Sequence, residues 1–91
     1  MNTKQKLQSM FKYLIPKDVP LANMYLNNHE YELLKEIIDA NVTIFEKWVS
    51  SGQTDPFALE NVKELQMYMN EFVEQYNIDI PYTDYEEVQD E

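Results

Sequence analysis

Seventeen carboxylates, seven lysines and one histidine carry the charge chemistry of this 91-residue chain, whose net charge is −10. There is no cysteine, and no basic residue is an arginine. Without cysteine the chain has no disulfide framework, zinc ribbon or thiolate nucleophile. Gly52 is the only glycine, so a glycine-rich phosphate loop is excluded. His29 is the sole histidine, so neither a catalytic dyad nor a pair of imidazole metal ligands is expected. His29-Glu30 begins the zinc-protease pattern, but position 33 is Leu, so the pattern fails. Glu32 lies three residues on, enough for a weak adventitious metal contact only. Asp79 and Asp84 lack the glycine and ligand spacing of a calcium loop. The paired carboxylates Glu32/Glu36 and Glu60/Glu64 sit on outward helical positions, where nothing keeps one of them protonated for general-acid work. The expectation is a protein that is not an enzyme and uses no metal or cofactor.

The charges are sorted along the chain. Residues 1–17 hold four lysines and no acid, whereas residues 55–91 hold eleven acids and Lys63 alone. An acidic chain of pI 4.3 is not expected to bind nucleic acid directly, because that needs a basic surface. Carboxylates facing outward on one side would instead meet a basic surface of another protein.

Hydrophobic spacing predicts the elements that position these charges. Leu7, Met10, Phe11 and Leu14 recur at helical spacing and predict a first helix over 3–14. Pro16 closes it, since the residue before a proline leaves the helical region. Residues 17–26 read as a connector with one short turn after Asp18 and Pro20. A long second helix is expected over 29–51, with Asn27 and Glu30 spaced as a capping box and Gly52 as its stop. Its apolar residues Leu33, Leu34, Ile37, Ile38, Ile44, Phe45, Trp48 and Val49 cover an arc of roughly 160°, wide enough for two neighbours. A third helix is expected over 56–76, capped by Asp55 with Pro56 in its first position. Ala58, Val62, Leu65, Met69, Phe72 and Tyr76 form its heptad-like seam. The short loop around Gly52 makes the second and third helices antiparallel neighbours. The predicted fold is all-α: a small three-helix bundle built on an antiparallel helical hairpin, one domain over 1–78. An acidic C-terminal tail, 79–91, completes it.

On this layout Glu60, Glu64, Glu71 and Glu74 lie about 200° from the seam and form a carboxylate stripe. Met67 falls in its middle, with Tyr68 and Phe57 on one flank. An apolar spot ringed by carboxylates has the composition of an interface anchor. In the tail, Tyr82, Asp84, Tyr85, Glu86 and Glu87 could order against the same basic partner. Asn41 falls within the apolar arc of the second helix. It is either a satisfied core amide or, with Ile44 and Trp48, part of a seam between two copies.

The expected function is therefore a non-enzymatic acidic module that docks on a basic site of a partner protein and regulates or inhibits it. The alternatives are local imitation of DNA and a self-associating homodimeric assembly component. A duplex as long as a 22-residue helix carries roughly 19 charges, too many for this chain to imitate as a whole. No stretch resembles a secretory signal or a membrane span, so the expected location is cytoplasmic. Small size, acidity and missing Arg and Cys are traits common among accessory proteins of phages and mobile elements.

Overall fold

The computed structural model describes residues 2–79, with side chains through residue 75. It contains four α-helices: α1 (Thr3–Ser9), α2 (Val19–Asn27), α3 (Tyr31–Ser50) and α4 (Pro56–Asp79). Short 3-10 turns at Phe11–Tyr13 and Pro16–Asp18 link α1 to α2. The fold is all-α, with four α-helices among the described residues where three were expected.

The extra helix is α2, which occupies most of the expected connector. Its inward residues, Ala22 and Leu26, are fully buried. Pro20 stands in its first turn, where a missing N–H leaves no helical bond unmade. The expected first helix, in turn, is shorter than 3–14. Asn2 caps α1 by accepting from the Gln5 N–H (2.8 Å) while its own N–H donates to Gln5 Oε1 (3.0 Å), a reciprocal capping box. After Ser9 the bonding tightens to the i→i−3 pattern: Met10 N–H to Leu7 O, Tyr13 N–H to Met10 O and Leu14 N–H to Phe11 O. In a 3-10 turn residues three apart eclipse, so Phe11 and Leu14 share one side. Leu7, Met10, Phe11 and Leu14 all reach the core even though the α-helix does not run through them.

α3 and α4 form the centre. Contacts between them pair Glu46 with Lys63, Asp39 with Gln66, and Tyr31 with Phe72. The numbers run in opposite directions, so the two helices are antiparallel. Leu34, Ile38, Val42 and Phe45 of α3 and Val62, Leu65 and Met69 of α4 are core residues. α2 packs against α3 and α1 against α4; of the apolar arc expected on α3, Leu34, Ile38 and Phe45 are buried and Trp48 packs on the core, whereas Leu33 is exposed. Among the described residues no helix is long and apolar enough to cross a membrane.

Among the described residues Asn41 is the one buried polar side chain, 1% exposed. Its Oδ1 accepts from the Ile15 N–H (2.9 Å), and its Nδ2 donates to Asp18 Oδ2 and to the Ile37 carbonyl (2.9 Å each). A buried amide is tolerable when its bonds are made, and these tie α3 to the turn before α2. Of the two roles open to Asn41, the satisfied core amide is the one these bonds describe.

Two helix ends close in the same way. At the end of α3, Gly52 has φ 76°, its N–H donates to Val49 O, and the Gln53 N–H donates to Trp48 O. At the end of α2, His29 has φ 60°, its N–H donates to Leu26 O, and the Glu30 N–H donates to Tyr25 O. Both are Schellman closures. The expected capping box of Asn27 and Glu30 is therefore absent, because Asn27 is the last residue of α2 and no side chain caps Tyr31. Gly52 suits its turn, while His29 bears the left-handed strain of a residue with a Cβ. Nothing lies within 4 Å of a Cβ built on Gly52, so Gly52→Ala adds backbone strain alone. Gly52→Ala is expected to lose about 1–2 kcal/mol and His29→Gly to gain about 0.5–1 kcal/mol. Urea unfolding of both variants, followed by helical circular dichroism, checks the opposite signs.

Candidate functional site

The outer face of α4 follows from its seam. Asp55 Oδ1 accepts from the Phe57 N–H (2.8 Å), which caps the helix at its start. Val62, Leu65 and Met69 are completely buried. At about 100° per residue this turns Glu60, Glu64, Glu71 and Glu74 away from the core, and all four are exposed. Met67 lies among them and is 61% exposed, while Phe57, three residues before Glu60, is 66% exposed. Large apolar side chains this open are a minority in the described chain, and two of them share this one carboxylate-bearing face.

Lysines approach the face from both edges. Lys63 Nζ lies 3.9 Å from Glu46 Oε2 of α3, with both side chains about half exposed, a pair that contributes little to stability. On the other edge, Lys6 of α1 places its Nζ 4.5 Å from the centroid of the half-buried Tyr68 ring, a cation–π contact. The Lys6 ammonium is pushed above the ordinary lysine range, first by the Tyr68 side chain and then by the charges of Glu64 and Glu71. A positive charge is favoured at this edge chiefly by the Tyr68 side chain, with a smaller contribution from the negative charges of Glu64 and Glu71. The contact joins the basic N-terminal segment to the acidic helix within one chain. Its only trace in the sequence was the opposite sign of the two segments, which does not single out Lys6.

The remaining candidate residues lie elsewhere. Tyr82, Asp84, Tyr85, Glu86 and Glu87 fall outside the described residues. Ile44 and Trp48 of α3 are half-buried, and the Trp48 ring stands edge-on to Phe45 at 5.2 Å. His29 sits in the turn before α3 with its ring tilted against Tyr31 at 5.8 Å. Among the described residues no three His, Asp or Glu side chains are grouped to hold a metal ion. A hollow of about 450 Å³ on the outer side of α3 is lined by Thr43, Glu46, Lys47, Ser50 and Ser51. These residues belong to one continuous helical stretch and its end, so no second wall faces them as a small-molecule site requires. What the α4 face can do chemically is attract cations and offer apolar contact at Phe57 and Met67.

Comparison of this chain with protein-family models, with curated proteins and with solved structures gives no match.

Met67 and Met69 stand on opposite sides of one helix, which separates a surface role from a packing role. Met67→Ala is expected to change stability by no more than about 0.5 kcal/mol, as for other surface sites. Met69→Ala, which opens a cavity in the core, is expected to lose about 2–5 kcal/mol. Parallel denaturant titrations of the two variants measure the difference.

Proposed function

We propose that this chain is a non-enzymatic binding module that docks the outer face of α4 on a basic site of a partner protein, and regulates or inhibits the partner by occupying that site. The observation that carries this reading is the pair of exposed apolar side chains, Met67 and Phe57, on the same face as Glu60, Glu64, Glu71 and Glu74. Carboxylates alone would serve solubility. Apolar side chains among them add what a docking surface needs: contact area that loses water on binding, surrounded by charges that steer the approach. Met suits such a place because its flexible thioether adapts to the surface it meets. The absence of cysteine and the single histidine agree with binding in place of catalysis. Tyr68 is the third apolar group of this face, and the acidic residues 84, 86 and 87 would extend its charge toward the same partner.

The reading predicts how a partner captured from the native host behaves. Binding should weaken as salt rises, because exposed charges are screened within about 10 Å at 0.1 M ionic strength. Substituting Glu64, Glu71 and Glu74 together by Gln should slow association and remove most of the salt dependence. Met67→Ala should weaken affinity about ten- to thirtyfold, as loss of an interface anchor does. Affinity capture at low and moderate salt, read by mass spectrometry with these variants in parallel, performs the test. A partner retained equally by all variants contradicts the reading. A partner released by competing duplex DNA identifies its basic site as one that holds nucleic acid.

A further inference from the structure

The contact between Lys6 and Tyr68 bears on how the face would be used, and this inference rests on the docking role proposed for α4. Lys6 belongs to α1, and α1 cannot leave α4 without exposing core. Leu7 of α1 is 1% exposed, and in the segment that follows it Phe11 is 1% exposed with Met10 and Leu14 buried beside it. The Lys6 side chain itself is exposed. It reaches over the Tyr68 ring from outside the core, with Glu64 one turn before Tyr68 and Glu71 three residues after it. A lysine of the same molecule therefore stands where an acidic face would take a basic side chain of its partner.

We propose that Lys6 is a built-in competitor of the α4 face: its ammonium occupies the Tyr68 position, and a lysine or arginine of the partner binds there only after displacing it. The exchange needs one exposed side chain to swing away, not the detachment of a helix. Neither the buried Leu7 of α1 nor its capping box at Asn2 and Gln5 takes part. A binding-competent state populated only in part lowers the apparent affinity by that fraction. Removing the occupant raises the affinity correspondingly. From the strength of cation–π contacts at exposed sites, the gain is about two- to fivefold. Met67 and Phe57 are left uncovered by Lys6, so they can make first contact while Tyr68 is still occupied.

The test uses the full chain with tetralysine amide as the probe, titrated at low ionic strength and followed by NMR shifts of α4 and of the Tyr68 ring. Lys6→Gln is the diagnostic variant, because Gln and Lys have similar helix propensity. Lys12→Gln makes the same change in net charge at a lysine whose Nζ lies 5.4 Å from the Tyr13 ring centroid. The expected result is binding along residues 60–74 in all three proteins. Lys6→Gln should bind about two- to fivefold tighter than the native chain, with the largest new shift on the Tyr68 ring and a smaller gain for Lys12→Gln. In a Tyr68→Leu background, Lys6→Gln should give no gain beyond that of Lys12→Gln. Equal gains for the two single variants, or none, with shifts still centred on α4, overturn the competitor role and leave the docking face standing. Lack of shifts on α4 in every protein overturns the docking face as well. A large drop in thermal midpoint for Lys6→Gln without tighter binding assigns the contact to holding α1 in place and also overturns the proposal.

Discussion

The rotation of α4 about its own axis is the constraint on which the surface depends. Val62, Leu65 and Met69 are fully buried, and each large apolar side chain removed from water stabilises the fold by roughly 1.5–3 kcal/mol. That burial leaves one orientation for the helix. A rotation of about 100°, one residue's worth, would carry part of the seam into water. The positions of Glu60, Glu64, Met67, Glu71 and Glu74 follow from it without any further interaction to hold them. The face is a consequence of the core.

The rest of the molecule makes that orientation stable. α3 supplies the opposing surface and is itself packed by α2, whose Ala22 and Leu26 are fully buried. Asn41 links this side to the chain before α2, using its acceptor for Ile15 and its donors for Asp18 and Ile37. The two Schellman closures then turn the chain sharply enough for short connections to join long helices. One uses glycine and the other histidine, so the turn after α2 carries backbone strain that the turn after α3 avoids. Side-chain bonds such as the exposed Gln8 to Asn23 (2.8 Å) and the part-buried Gln66 to Asp39 (2.9 Å) join neighbouring helices.

Periodicity makes much of this legible in the sequence. The seam of α4 was readable because Val62, Leu65 and Met69 keep their spacing over several turns, and the outward placing of Met67 and the glutamates followed from it. Gly52 was readable because a single glycine at the end of an apolar pattern has one usual meaning. α2 was not readable, since a nine-residue segment holding Pro20 and no charged residue carries too little pattern to be told from a connector. The break after Ser9 was hidden for another reason: apolar spacing of three and four fits a 3-10 turn following a helix as well as a continuous helix. The closure at His29 was missed because the left-handed turn there lacks the glycine that marks such turns. The Lys6–Tyr68 contact depends on how α1 lies on α4, and no local pattern encodes that packing.

Met67 faces water while Met69, two residues on, faces the core. Mild peroxide oxidation of the intact protein, with sulfoxide mapped residue by residue by mass spectrometry, reads this in one sample. Met67 is expected to oxidise far faster than Met69, and the basic partner, once bound, should slow Met67 alone of the two. Equal rates at Met67 and Met69 in the free protein would mean that α4 is not rotated as described, and the docking face would have no basis.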